Sequence, residues 1–334
     1  MYARSRTLPA LLVILIVPIF ACSSDDAPVP PDTSDPVTEY DLGDGHKLHD
    51  LIPDFLAYAE QAAQGSQQTR VSLWDSMLEA KWTDFFNQVL YRKLQGTERE
   101  NHKTAIINEF WDSIVPDTLD ALRRTHAAAV QKILGGRAQF TEKFPSFAPG
   151  CDYYLTVAFS FHGKADDVSG ATVLAVGLEH FTALDKQLDF VIAHEQYHLH
   201  HFAQGFSAQG GLYRGIWTEG MATYAQLFIY PGNHTYSELL GFPGSRIDEI
   251  VRRFDELKMD VEKNIFTTDQ TIKRAYLGAE DNTLGIPPAC GYYIGLRIVM
   301  TLLARGETFD EMGSWTSDRV QTEMLSVLPT LTAQ

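Results

Sequence analysis

Hydrophobic side chains between residues 46 and 150 recur with the period of an α-helix, about 3.6 residues. Two apolar stripes are Leu48, Leu51, Ile52, Phe55 and Ala59, followed by Trp74, Met77, Leu78, Trp82, Phe85, Phe86 and Val89. A third helix is expected around residues 106–111, and a fourth from Pro116 to the pair Gly135-Gly136, which is expected to end it. Stripes at helical spacing indicate core packing, so this region predicts helices without reactive groups.

The pattern changes at Cys151, where apolar side chains begin to alternate with smaller or polar ones. This alternation predicts a strand over residues 153–161, and a second β-rich segment follows at 171–181. Helical spacing returns at residues 184–202, around Glu219 and after Tyr292. We therefore predict an α+β protein with a mostly helical N-terminal region, residues 46–150, and a second domain, residues 151–334.

The first residues have the pattern of an export signal. Arg4 and Arg6 precede an apolar run over residues 8–21, which is too short to span a bilayer comfortably. The run ends in Ala21-Cys22, which resembles a bacterial lipobox and predicts lipidation of Cys22; an ordinary cleaved signal peptide is the alternative. Residues 23–39 are rich in Pro, Ser and Asp, as in a solvated tether. We predict a signal peptide at 1–21 and a lipid-anchored tether at 22–45, which place the chain at the bacterial cell envelope. The pattern after Cys22 favours the outer membrane.

Composition and charge exclude some classes of protein. The chain has 27 Lys and Arg against 43 Asp and Glu, which gives a formal net charge of −16. Proteins that follow a phosphate backbone need a basic surface, so no nucleic acid partner is expected. A hydrophobic fraction of 45% is typical of a folded chain and excludes a wholly disordered one.

Two cysteines remain if Cys22 carries a lipid. Cys151 and Cys290 form a candidate disulfide, because exported proteins retain such bridges. Two unpaired buried thiols are the alternative, since pairing does not follow from sequence.

The motif with the clearest chemistry is HEQYH, residues 194–198, within the predicted helix. His194 and His198 are four residues apart, so both imidazoles can reach one metal ion, and Zn²⁺ is the expected one. Glu195 is placed to take a proton from the attacking water as general base. The alternative is a set of ordinary solvated polar side chains. His200 is expected at the surface and His201 as a neighbour of the ligands.

A catalytic zinc needs a third protein ligand. The metzincin spacing would require a histidine at position 204, which is Gln204, so that subclass is excluded. The best candidate is Glu219 in WTEGMA, on a second predicted helix that begins beyond a short connection. A return of the chain from the first helix would bring Glu219 beside His194 and His198.

These motifs together resemble the gluzincin zinc peptidases, whose third ligand is a glutamate on the helix after the HExxH helix. WTEGMA is more similar to the aminopeptidase-like branch than to thermolysin, which places an aspartate where this chain has Thr223. PPACGYYIG, residues 287–295, resembles a stretch of a family of predicted zinc-dependent proteases. The resemblance covers roughly residues 150 to 305. It implies a zincin-like core, in which a small mixed sheet lies over the two zinc-ligand helices.

The resemblance also implies a catalytic tyrosine and a cleft. Gluzincins use a Tyr or His after the third ligand to stabilise the oxyanion, and Tyr292 and Tyr293 are the candidates here. Adjacent helical residues point about 100° apart, so at most one of them should face the metal. The segment 171–181 would form the upper rim of the cleft and pair with an extended substrate.

The expected function is hydrolysis of peptide bonds by one Zn²⁺ per chain, with a peptide or protein as substrate and a lipid anchor as the contact with the membrane. Two alternatives remain open at this point. One is a catalytically silent, peptidase-like binding lipoprotein of an envelope assembly, although the intact Glu195 argues against it. The other is a zinc hydrolase that acts on a non-peptide amide or ester.

Overall fold

The structure, a computed structural model, describes residues 37–43, 45–147, 150–181, 186–278 and 284–333. The predicted signal peptide, the lipidation site Cys22 and most of the predicted tether lie outside the described residues. Within the described part, no helix is long and apolar enough to cross a membrane.

A five-stranded mixed sheet is built from both halves of the chain. The strands are β1 (Glu39–Gly43), β2 (His46–Asp50), β3 (Asp152–Thr156), β4 (Gly163–Val168) and β5 (Ala171–Gly177). Their order is β1-β2-β3-β5-β4. The inner pairs β2/β3 and β3/β5 are parallel, whereas β1/β2 and β4/β5 are antiparallel. The edges of the sheet are therefore β1 and β4.

The predicted boundary near residue 150 does not separate two compact units. Strand β2, from the N-terminal region, pairs with β3, and the amide of Leu51 donates to the carbonyl of Leu155 at 2.8 Å. Residues from Val37 to Gln334 form one compact unit. The predicted tether also ends earlier than residue 45, because β1 already pairs with β2. Long-range strand pairing of this kind leaves no signal in local periodicity.

The two predicted strands are shorter than their apolar patterns. The first ends at Thr156 and the second at Gly177, where a 3₁₀ turn over Leu178–Phe181 begins. Strand β4 follows the first strand after a short loop and was not predicted. Because β5 lies between β3 and β4, the prediction that segment 171–181 forms the rim of a cleft is wrong. The edge strand of the sheet on that side is β4.

Helices make up most of the rest of the chain, so the predicted α+β class is confirmed. The first group is α1 (Ile52–Ala62), α2 (Gln67–Trp74), α3 (Thr83–Phe85), α4 (Gly96–Glu109), α5 (Val115–Asp117) and α6 (Leu119–Lys143), with π-helical turns at Asp75–Glu79, Phe86–Leu90 and Phe110–Ile114. The second group is α7 (Lys186–Ala203), α8 (Leu212–Ile229), α9 (Tyr236–Leu240), α10 (Gly244–Arg252), α11 (Phe254–Asn264), α12 (Gln270–Leu277), α13 (Cys290–Ala304), α14 (Phe309–Gly313) and α15 (Ser317–Val327), followed by a 3₁₀ turn at Leu328–Thr330.

Helix α6 does not end at the glycine pair as predicted but continues to Lys143. A Cβ atom added to Gly136 would lie 3.0 Å from Cγ2 of Ile192 on α7. Gly135 beside it has open space around it and is exposed. Gly136 therefore lets α6 approach α7 closely, and the packing of this contact overrides the low helix propensity of glycine.

Helices α8 and α13 cross at a contact between two glycines. A Cβ atom on Gly220 would lie 2.3 Å from the carbonyl carbon of Gly295, and one on Gly295 would lie 2.2 Å from the carbonyl oxygen of Ile216. Both obstacles are backbone atoms, which side-chain rotation cannot move. Gly220 follows Glu219 directly, and Gly295 is one turn after Tyr292. The crossing thus holds two candidate site residues on neighbouring backbones.

The candidate disulfide is not formed in the structure. Cys151 and Cys290 are both free and buried. Burial raises the pKa of each thiol to about 12, which keeps both in the neutral form.

We predict that Gly295→Ala destabilises the protein by at least about 3 kcal/mol, because the added methyl group meets the backbone of α8. Urea unfolding of the variant and the wild type measures the difference. Gly135→Ala is the matched control: it should stabilise the protein by about 0.5–1 kcal/mol, since its surroundings are open. Equal stability of Gly295→Ala and the wild type would show that the crossing is looser than described.

Candidate metal centre

Helix α7 places two imidazoles side by side, and α8 adds a carboxylate to them. The Nε2 atoms of His194 and His198 are 3.0 Å apart. Oε2 of Glu219 lies 3.0 Å from Nε2 of His194 and 3.3 Å from Nε2 of His198. Three atoms from residues that bind metals therefore form a nearly equilateral triangle.

The size of this triangle fits a small divalent cation. A tetrahedral ion bound at about 2.0–2.1 Å has ligands about 3.3–3.4 Å apart, close to the observed separations. The two histidines are nearly buried, with 9% and 8% of their surfaces exposed, and the Glu219 side chain is 18% exposed. The three candidate ligand atoms thus lie close together in a mostly buried position, at a separation that a metal ion can bridge.

Glu195 belongs to the same group of possible ligands. His194, Glu195 and His198 each offer a ligand atom, and these atoms lie within 4.8 Å of one another, so the group can hold a metal ion. Glu219 also contacts both imidazoles, at 3.0 and 3.3 Å. The cluster therefore offers two carboxylates beside the imidazoles, and Glu195 is the one that lines the cleft.

The strand at the edge of the sheet lies directly against the general-base candidate. A Cβ atom on Gly163, the first residue of β4, would lie 2.7 Å from Cγ of Glu195 and 2.5 Å from Cγ1 of Val191. Val191 and Glu195 are one helical turn apart and share this face of α7. Glycine at position 163 is therefore what allows the edge strand to reach Glu195.

Charges in the cluster shift the ionisation of its members. Burial disfavours the charged form of His198, but the negative charge and hydrogen bond of Glu219, with a contribution from Glu195, raise its pKa overall. Burial also opposes the charged form of Glu219, and the charges and hydrogen bonds of His198 and His194 lower its pKa well below the usual value. The carboxylate is therefore ionised at neutral pH, the form that a metal ligand requires.

A second residue of α8 contacts the same cluster. Nε2 of Gln226 lies 3.3 Å from Nδ1 of His194, and Oε1 of Gln226 is buried with no hydrogen-bond partner in the described part of the chain. If Nε2 of His194 bound a metal, its proton would be on Nδ1. With the side-chain amide of Gln226 rotated by 180°, Oε1 would accept a hydrogen bond from that N–H. Gln226 follows Glu219 by two turns of one helix face, a spacing that sequence analysis could have used to find it.

His198 provides an independent test of whether a metal fits. Its Nδ1 atom is buried and has no partner among the described residues, while its Nε2 faces another imidazole nitrogen and a carboxylate oxygen. Two imidazole nitrogens facing each other share at most one proton in neutral form, so their approach leaves unsatisfied lone pairs. A cation at the centre of the triangle satisfies all three ligand atoms at once.

The two candidate tyrosines point in different directions. The ring of Tyr292 stacks on His194 with ring centres 6.1 Å apart and lines the cleft. Desolvation by the protein, the charges of Glu219 and Glu195 and a hydrogen bond to Glu219 raise the pKa of Tyr292 well above its usual value. Tyr293 is fully buried, and its hydroxyl donates to the carbonyl of Ala333. The structure thus brings Tyr292 to the site and keeps Tyr293 away from it.

The two remaining histidines of α7 lie outside the site. His200 was predicted at the surface but is buried, because the end of α6 and the segment after it cover that side of α7; its ring packs against Phe144 at 4.9 Å. His201 stacks on Phe206 at 4.5 Å. Burial, with the nearby His198 and His200, lowers the pKa of His201 to about 3, so it is neutral.

A cleft of about 310 Å³ opens beside the ligand cluster. Its apolar wall includes Phe161, Phe181, Phe190, Val191, Leu240 and Phe242. Helix α9, at the rim, begins with a capping box in which Thr235 and Glu238 satisfy each other's backbone amides. The cleft therefore combines a large apolar surface with Glu195 and Tyr292 at one end.

Four residues predicted from sequence meet at one point: His194, Glu195, His198 and Glu219, and Tyr292 joins them. Comparison with known proteins adds no name to this arrangement: no family model, no curated protein and no solved structure matches the chain. The geometry of the described residues is thus the basis for any proposed function.

We predict that Gln226→Ala weakens the binding of a divalent cation about 10- to 100-fold, because His194 loses the group that orients its ring. Competition with a chromogenic chelator measures the affinity. Gln204→Ala is the matched control, since Gln204 contacts His200, which is outside the cluster, at 2.6 Å. Equal loss in both variants would contradict a specific role of Gln226.

Proposed function

We propose that the protein is a zinc-dependent peptidase of the gluzincin type, with His194, His198 and Glu219 as its zinc ligands. The observation that carries this proposal is the triangle of two imidazole nitrogens and one carboxylate oxygen, with sides of 3.0 to 3.3 Å. Two histidines and a glutamate are a ligand set of catalytic zinc in hydrolases. The helix pair α7 and α8 supports a zincin-like core, in keeping with the resemblance of the motifs.

Zinc in this position would polarise the scissile carbonyl and acidify an attacking water. The chain's own residues supply the remaining chemistry. Glu195 accepts the proton of the attacking water and then passes it to the leaving amine. Its place in the cleft wall, beneath Gly163, supports this role, because β4 keeps the carboxylate at the edge where a substrate would lie.

Tyr292 is the proposed donor to the oxyanion. Its hydroxyl lies close enough to Glu219 to form a hydrogen bond with the carboxylate, and its raised pKa keeps the hydroxyl protonated as a donor. A donor aimed at the developing negative charge lowers the energy of the transition state more than that of the substrate. Tyr293 has no such role, since its hydroxyl is occupied by Ala333.

An extended peptide is the proposed substrate. As the last strand of the sheet, β4 can add a strand of substrate by backbone hydrogen bonds, and the apolar wall of the cleft can bind side chains next to the scissile bond. The N-terminal sequence supports an exported, lipid-anchored protein of the bacterial cell envelope, and we propose that location for its substrates.

We predict that the soluble part of the chain, residues 23–334, binds about one zinc per chain and cleaves peptides. Elemental mass spectrometry and a peptide library measure the two properties. His194→Ala and Glu219→Ala should lose both zinc and activity, because each removes a ligand. Glu195→Gln should keep zinc and lose activity, since only the base is removed.

The outcomes separate the alternatives. Zinc bound without cleavage of any peptide, but with hydrolysis of small esters or amides, would favour a non-peptide hydrolase. Zinc bound without any hydrolysis would favour a silent binding protein. Absence of zinc after reconstitution would refute the proposed function.

We predict that Tyr292→Phe lowers kcat about 100-fold or more while zinc content stays unchanged, because only the oxyanion donor is lost. Tyr293→Phe is the matched control on the adjacent residue. It removes the hydrogen bond to Ala333 and should cost about 1 kcal/mol of stability without changing kcat. The reverse pattern, with kcat reduced only in Tyr293→Phe, would contradict the assignment.

A further inference from the structure

A buried carboxylate outside the ligand cluster holds part of the cleft in place. Glu179 lies in the 3₁₀ turn after β5, and only 4% of its side chain is exposed. Its Oε1 accepts the backbone amides of Ala158 at 2.9 Å and of Phe159 at 2.6 Å. Two consecutive amides that converge on one oxygen form a small anion-binding concavity, here filled by the chain's own carboxylate.

The backbone at this concavity has an uncommon conformation. Phe159 has φ of 66°, in the left-handed region that non-glycine residues seldom adopt. Such a conformation persists only where surrounding contacts favour it over the extended alternative. Hydrogen bonds to a charged acceptor are stronger than neutral ones, so the contacts of Glu179 provide that preference.

The segment held in this way leads directly into the cleft. Phe161, His162 and Gly163 follow the two bonded amides and line the cleft beside Glu195. The carbonyl of His162 accepts the amide of Gly177 at 2.9 Å, which fastens the far end of the loop to β5. The left-handed turn at Phe159 follows the end of β3 at Thr156 and redirects the chain so that Gly163 can begin β4 against Glu195.

The surroundings of Glu179 indicate that the hydrogen bonds from the loop amides hold its side chain in place. Nε2 of His180 lies 3.3 Å from the same Oε1, and the His180 ring packs on His162 at 4.4 Å. Oε2 is buried without a hydrogen-bond partner among the described residues. A buried oxygen without a hydrogen bond lowers the stability of the fold. The two hydrogen bonds that Oε1 accepts offset this loss of stability.

We propose that Glu179 is a positioning residue of the peptidase: it fixes the loop of residues 157–162 and so sets the distance between the edge strand and Glu195. The substrate would bind along this strand, so its alignment with the base depends on a carboxylate that never touches it. This inference rests on the proposed peptidase function. A displacement of about 1 Å at such a site can lower the rate about 100-fold.

The test compares Glu179→Ala, Glu179→Gln and the wild type. Glu179→Ala should reduce kcat/KM for extended peptides about 100-fold with zinc content unchanged, because the ligands lie on α7 and α8. Hydrogen exchange at the amides of residues 158 and 159 should become faster by about tenfold or more, since both lose their acceptor. Glu179→Gln keeps an acceptor oxygen and should restore much of the activity and of the protection.

Asp50→Ala is the matched control for Glu179→Ala. Asp50 is also a fully buried carboxylate that accepts a backbone amide, that of Ile52 at 3.1 Å, but it does not line the cleft. Both positions should lose stability in urea, whereas only the changes at Glu179 should alter kcat/KM. Unchanged kcat/KM or unchanged amide exchange in Glu179→Ala would overturn the proposal. Failure of the peptidase function itself is distinct, because it would appear as absent zinc or activity in the wild type.

Discussion

The contact between the backbones of helices α8 and α13 is the constraint on which the site depends. Gly220 and Gly295 meet with no room for a side chain on either, so the backbones of the two helices are in direct contact. Glu219 and Tyr292 are carried on either side of that crossing, one beside Gly220 and the other a turn before Gly295. A carboxylate and a phenol from distant parts of the sequence thus both reach the imidazole of His194.

In the resulting cluster, the charge of the carboxylate and the lone pairs of the imidazoles are not balanced without a cation. Two imidazole nitrogens face each other, and a largely desolvated carboxylate contacts both. In the protein alone, the charge of Glu219 raises the pKa of His198 against the effect of burial, and the charges and hydrogen bonds of the two imidazoles lower the pKa of Glu219. Burial makes each unpaired charge costly, so these residues are poor choices for structural packing and good ones for holding a metal ion.

Sequence analysis found the ligand spacing on α7 and, from the motifs, Glu219 and Tyr292, but it missed the features of the fold that depend on distant packing. The four-residue spacing of His194 and His198 is a property of a single helix, and it survives in any fold that keeps α7. Helix α6 runs through Gly136 because the contact with Ile192 favours it, and β4 is an edge strand because β5 pairs with β3. Neither contact has a periodic signal in the chain.

The loop before β4 shows how such distant packing becomes part of the site. Its apolar pattern is that of a continued strand, yet Phe159 is left-handed because a carboxylate 20 residues later binds its amide. That turn makes a new edge strand begin at Gly163, and the absence of a side chain there lets the strand rest on Glu195. Two features of the backbone therefore shape the cleft. One is the left-handed conformation of Phe159, and the other is Gly163, whose lack of a side chain permits close approach. The glycine rests directly on Glu195, and the turn at Phe159 determines where the strand that begins with this glycine starts, so the position of the edge strand beside Glu195 depends on both.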